Sequence, residues 1–439
     1  MKVKVFLFAQ DSKRRRNLSA VVISAYSCYI SECKSGFYMT ELFRLIACSA
    51  IIVLVHHILS PIEVSSEPIE GVLQERGLLY SEPEAPALEE IYYERGITWR
   101  YPSAGVSANL NLLLQNGYFY YDHDSVDQKS DQSSFDLHEA RLIFSGTSQY
   151  EEFRYLLEAN LAPSDGASQA PLLEDAYIIW GPCLCSFAKL GQFQTPYGRE
   201  RQSPEVGLQF VEYAIASDIF NRGPQAGLYG QYNFLDDRII TSASLFNGDS
   251  TGEGHNLSAT DTKHLALCAI RTAPLGRINP FEEGDLHHSE NTSLSFALTY
   301  GYEQSENSVT GLDFKSHLAN LDVTFKLRGV SLSGEVMVEK QDTALDSHNP
   351  YGFYLQGGIF VVPTRLEAAG RFSQVECDGS FLDGCGGSDR VRQATAGINY
   401  YFWEHNVKLL LNFERRTSDM TEGGSLDSNR IMFLSSIYL

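Results

Sequence analysis

At 439 residues the chain could bury a large core, and its formal charge of −21 excludes a nucleic-acid partner, whose phosphates demand a basic footprint. Its 8 cysteines contain no CxxC pair, which leaves a zinc or thioredoxin-like site without support.

Residues 1–60 depart from this acidity, with 8 Lys/Arg against 3 Asp/Glu. Met39 opens the pattern of an export signal: Arg44 supplies the positive flank and Leu45–Leu59 the apolar run. That run is 15 residues long, whereas a spanning helix needs about 20. The expectation is an upstream extension over 1–38 and a signal peptide over 39–65, cut between about Ser60 and Ser66. Leu45–Cys48 mimics a lipoprotein box, but the apolar run follows the cysteine instead of preceding it. Residues 66–107, rich in Glu and Pro and without heptads, read as a partly disordered periplasmic lead-in.

From about Asn109 the hydrophobic period becomes two. Leu321, Val323, Phe325 and Leu327 alternate with Asp322, Thr324, Lys326 and Arg328; Val330, Leu332, Val336 and Val338 alternate with Ser331, Ser333, Glu335 and Glu339. About sixteen such segments succeed one another, beginning near 109, 134, 150, 172, 184, 224, 238, 263, 292, 317, 330, 351, 365, 392, 406 and 429. Tight turns, as at Leu235–Asp237, Gly329, Pro363–Thr364 and Glu404–His405, alternate with long acidic loops such as Gly248–Asp261 and Thr417–Asn429. Short turns at one end and long loops at the other predict an all-β fold, a transmembrane antiparallel barrel over 108–439. A water-soluble sandwich also shows period two, but not this strand number or loop asymmetry. The connection Pro274–Asn291 breaks the alternation.

The fifth segment runs into LGQFQTPYGRERQSPEVGLQFVEYAIASDIF, Leu190–Phe220. Pro196 and Gly198 end the strand pattern, and Phe210, Val211, Tyr213, Ile215 and Ile219 make the rest of the connection too apolar for a solvated loop. This stretch resembles the phosphate-selective porins O and P, and Ala394–Glu414 resembles that family's penultimate hairpin. The resemblance spans roughly residues 97–439. It implies an outer-membrane diffusion channel, a homotrimer, and a third outward loop folded inward to narrow the pore. Small anions such as phosphate would be the solutes and outer-membrane lipid the surroundings.

In such a channel charges at a constriction act on the solute, and no bond is made. The expected pore residues are Arg199 and Arg201 on the loop, with Glu200 between them, and Lys189, Arg154, Arg141 and Arg371 on the wall. Lys326, Arg328, Arg365, Glu139, Glu158, Asp322, Glu335, Glu339, Glu367 and Glu414 fall on the same face by parity. No lysine occurs between Lys189 and Lys263, and lysine-bearing loops mark the phosphate binders of the family, so the expectation is weak anion selectivity. His56-His57 and His287-His288 have no ligand partners at metal spacing, no cofactor is expected, and no Ser/His/acid constellation points to an enzyme. Cys183 and Cys185 flank a turn; Cys377 and Cys385 share an outward loop and could be paired or free. A structural or adhesive barrel with a plugged lumen is the alternative.

Overall fold

The computed structural model describes residues 90–93, 96–123, 131–148, 152–162, 172–248, 260–307, 312–343, 346–379, 382, 385 and 387–439. The expected upstream extension and signal peptide lie outside these residues. In chain order the strands are β1 Glu90–Tyr93, β2 Ile97–Tyr101, β3 Val106–His123, β4 Gln132–Thr147, β5 Phe153–Asn160, β6 Leu172–Cys183, β7 Ser186–Gln194, β8 Pro224–Phe234, β9 Ile239–Phe246 and β10 Thr260–Leu275. Next come β11 Ser293–Asn307, β12 Leu312–Leu327, β13 Val330–Thr343, β14 Ser347–His348, β15 Tyr351–Val362, β16 Leu366–Glu376, β17 Ser388–Trp403, β18 Val407–Met420 and β19 Ser425–Tyr438.

Sixteen of them, β3–β13 and β15–β19, pair antiparallel in sequence order, and β19 returns to β3, which closes the ring. Tyr438 lies opposite Leu113, and Leu439 and Leu112 exchange backbone hydrogen bonds of 2.9 and 3.0 Å. Closure leaves no edge for the hydrocarbon to desolvate. Beyond Leu439 the row is continued by β2, where Ile97 lies opposite Leu110, and β1 folds back on β2. Part of the expected lead-in is therefore a hairpin joined to the barrel. The sixteen expected starts agree with the observed ones to within five residues; the largest offset is at β12, which begins at Leu312.

Burial is inverted relative to a water-soluble domain. Along β13, Ser331, Ser333 and Glu335 are buried while Leu332 and Val336 are 47% and 48% exposed. The same holds for buried Asp322 beside exposed Leu321 and buried Asn399 beside exposed Ile398. A face of Leu, Val, Ile and Phe left outward on strand after strand suits lipid, not water. Two residues expected on the lumen wall by parity are not there. Arg328 sits in the two-residue turn between β12 and β13, with φ +49° followed by Gly329 at +82°. Both central residues of such a turn need a left-handed backbone, so alternation stops one residue earlier than the sequence pattern implies. Arg365 follows Thr364, at φ +60°, and donates to the carbonyls of Tyr401 and Phe402. Cys377 pairs with Cys385 and Cys183 with Cys185, with Cα atoms 5.9 and 5.1 Å apart.

Candidate constriction of the lumen

The connection from β7 to β8 begins and ends at one neck, where the Thr195 amide donates to the Gly223 carbonyl at 3.2 Å. Between these points the chain enters the barrel. Gly198 (φ +79°) turns it against Glu335, where a Cβ would lie 3.3 Å from the carboxylate oxygen. Two short 3-10 turns, Glu200–Gln202 and Glu205–Gly207, and one short helix, α1 Ile215–Ile219, complete the loop. Tyr197, Ala214, Ala216, Ile219 and Phe220 pack with Leu265, Leu318, Met337, Tyr354 and Val375 of the wall. Val211 packs separately with Phe119, Leu410, Met432 and Leu434. The expected packing of the loop's apolar residues is thus met at Val211, Ile215, Ile219 and Phe220, and Phe210 is buried as well. Tyr213 instead stays partly exposed, donates to Glu205 and lines a cavity beside the loop.

A loop inside a protein must place its backbone polar groups. Here the wall supplies the partners. Val211 N donates to Asn412, Ile215 N to Gln393 and Ala216 N to Ser373. The carbonyl of Leu208 accepts from Lys408 Nζ at 2.6 Å, that of Gln209 from Asn399, and those of Glu212 and Tyr213 from Arg371. The polar wall therefore serves partly as a mould for the loop.

The expected pore residues separate into three groups. Arg199, Glu200 and Arg371 belong to one buried network. Arg199 donates to the Tyr354 hydroxyl, to Pro280 O at 3.0 Å and to Glu283 Oε1 at 2.8 Å. The amides of Arg199 and Glu200 both donate to Glu335, at 2.8 and 2.6 Å. Glu200 accepts from Arg371 at 3.0 Å and from Ala214 N at 3.0 Å. With 1% of its surface exposed, Arg199 fixes the loop and offers nothing to a passing solute. Arg141 forms a second network, bridging Glu139 and Glu158 of the wall to Glu205 of the loop at 2.7 to 2.8 Å.

Arg154, Lys189 and Arg201 keep partial exposure. Arg201 lies over the Tyr213 ring, 4.1 Å from its centroid, with Asp218 at 3.8 Å. Lys189 sits 4.3 Å from the ring centroids of both Tyr177 and Phe193. Arg154 Nε and Nη2 are themselves covered and have no hydrogen-bond partner among the described residues, so the exposed part of this side chain lies elsewhere. These residues mark where water reaches the lumen: inward side chains of β5–β9, such as Arg154, Tyr177, Lys189 and Gln231, are half-buried, whereas those of β12–β18 are mostly covered. A cavity of about 210 Å³ beside the loop is lined by His138, Glu139, Arg201, Glu205, Tyr213 and Asp218, among others.

Sequence reasoning missed Glu283. It belongs to residues 276–292, between β10 and β11, the connection whose length broke the loop pattern. This segment turns inward, burying Glu283, Asp285 and Leu286. Burial pushes the Glu283 carboxyl up, but the Arg199 guanidinium outweighs this and holds it below the ordinary carboxylate range. A depressed value means that the pair contributes stability at neutral pH and loses it only as pH falls through that lowered value. The length anomaly was the available signal; nothing local identified the residue.

The chain is a closed sixteen-stranded antiparallel barrel, apolar outside and polar inside, with a loop moulded across its lumen, which is the architecture of a transmembrane β-barrel. Residues 110–275 match the sequence model of the phosphate-selective porin O and P family, in agreement with the resemblance carried by Leu190–Phe220. Among solved structures, the outer membrane channel DcaP of Acinetobacter baumannii superposes with a TM-score of 0.57 at 13% identity, over 76% of this chain and 98% of that one. The outer-membrane expressed OmpT of Vibrio cholerae gives a TM-score of 0.51 at 8% identity, over 80% and 100%. At such identities the likeness speaks for the fold. No curated protein matches in sequence.

Proposed function

We propose that the protein passes small hydrophilic solutes and ions without chemical conversion, with a weak preference for anions carried by Arg154, Lys189 and Arg201. The observation that supports this most is the partial exposure of Arg154, Lys189 and Arg201, in contrast to the buried Arg199 and Arg371. A guanidinium stays charged at any physiological pH and replaces the hydration of an oxyanion with fixed donors. Asp218 stands beside Arg201, and Glu158 and Glu205 are held by Arg141, so carboxylates oppose the cations and keep the preference weak. Arg199 and Arg371, expected to share the task, are neutralised by Glu283 and Glu200. Phosphate is the oxyanion of first interest, bound less tightly than by a lysine-bearing loop.

In a planar bilayer with a salt gradient, Arg154→Glu combined with Arg201→Glu should move the reversal potential toward cations, more at low salt than at high. An unchanged reversal potential would refute the assignment of these residues. The second reading, a structural or adhesive barrel, is favoured by the extent to which inserted segments cover the wall of β12–β18; a purified protein that never conducts would support it. The native unit in this reading is a homotrimer in outer-membrane lipid, checked by the mass of the detergent complex. Export removes everything before about Ser60 to Ser66, and N-terminal sequencing of the mature chain should begin there; residues 1–38 found intact in the membrane fraction would refute this.

A further inference from the structure

Residues 276–292 do more than connect β10 to β11. The turn between β12 and β13 at the same end of the barrel needs only Arg328 and Gly329. The longer segment is fastened to the wall on one side. Lys326 Nζ donates to Glu282 O at 2.7 Å, and Asp285 accepts from the Gly329 amide at 2.7 Å and from Ser289. Leu286 packs with Phe360 and Tyr401. On its other side it holds the loop from β7 to β8. Glu283 N donates to Gly207 O at 3.0 Å, and Gln209 N donates to Glu283 Oε2 at 2.9 Å. Arg199 reaches both Glu283 and Pro280 O.

The loop enters from its neck at Thr195 and Gly223, whereas these contacts fall on residues 199–209, past the neck. We propose that residues 276–292 form a strut that sets the position of the constriction loop from the opposite end of the barrel, with Glu283 as the positioning residue. The passage is then defined by two segments locked to each other, and its width depends on a carboxylate that never meets the solute. This rests on the diffusion-channel reading above.

Single-channel recording on the full chain tests it. Glu283→Ala leaves Arg199 short of its counter-charge and frees the loop, so conductance should change by about twofold with added open-channel noise, at an unchanged reversal potential. Glu283→Asp should restore much of the wild-type behaviour. Wild-type conductance and noise in Glu283→Ala would overturn the proposal. Should that variant fail to assemble, the double variant Gly207→Cys, Glu282→Cys decides. A Cβ on Gly207 would lie 3.8 Å from Glu282 Cα, within reach of a disulfide. The crosslink should form on export and quieten the open channel; no crosslink, or a crosslinked channel as noisy as wild type, overturns the strut. A wild-type protein that carries no current defeats the channel reading instead, and the crosslink alone then judges whether the two segments are joined.

Discussion

Arg199→Ala should release the constriction loop at a cost of roughly 3–5 kcal/mol, the range for breaking a buried ion pair from one side. The guanidinium joins Tyr354, Glu283 and Pro280, and neither Arg199 nor Glu283 touches water. Removing it takes away the direct partner of the Glu283 carboxylate. What remains is the Gln209 backbone amide and the more distant charges of Arg371, Lys326 and Lys408, in a buried site where an undercompensated charge is expensive. Arg199→Lys keeps the charge but not the fork that reaches several acceptors, and should fall between the two. Arg201→Ala, two residues on, gives up a ring contact and a 3.8 Å pairing with a half-solvated aspartate, so it should cost no more than about 1 kcal/mol. Limited proteolysis of the folded protein reads the difference: cleavage within 199–214 should appear in Arg199→Ala and not in Arg201→Ala. Equal resistance in both would show that the loop does not depend on this pair.

The second large effect belongs to the outer face. Val336 lies about midway along β13, 48% exposed, opposite Leu321 on one side and Phe353 on the other. In water an exposed Val→Arg change would be nearly free. In a bilayer, Val336→Arg should cost about 2–4 kcal/mol, because no water is present at that depth to solvate the charge. Val336→Ala sets the baseline for lost contact area. Denaturant titration in lipid vesicles measures both, and an arginine variant as stable as the alanine one would place that face outside the hydrocarbon.

The barrel was legible because its two surroundings impose a two-residue rhythm on every strand. Asp322, Thr324 and Lys326 inside and Leu321, Val323 and Phe325 outside display it directly. The rhythm fails where backbone geometry takes over: Arg328 has the right parity for the lumen, yet a left-handed turn carries it past the wall. The loop was legible as a packed segment from Phe210 to Phe220, since such residues have no place in solvent. The fate of its charges was not. Arg199 and Arg201 look alike in Arg-Glu-Arg, and the residue that separates them is Glu283, 84 positions away from Arg199. Charge parity tells which side of a strand a residue occupies, but neutralisation depends on partners that only the closed structure brings near.

The seam between β3 and β19 has a consequence for assembly. Gln115 and Ser436, hydrogen-bonded across it, are 321 residues apart in the chain. Joining such distant segments carries the largest loop-closure entropy in the molecule, so this contact forms late. Until then the curled sheet has two raw margins, each able to recruit a stray strand. Changes at Gln115, Ser436 or Leu434 should therefore slow insertion and raise aggregation well before they weaken the finished barrel. The seam is a kinetic vulnerability, and the backbone pair of Leu112 and Leu439, with β2 set directly after it, is the clasp that ends the exposure.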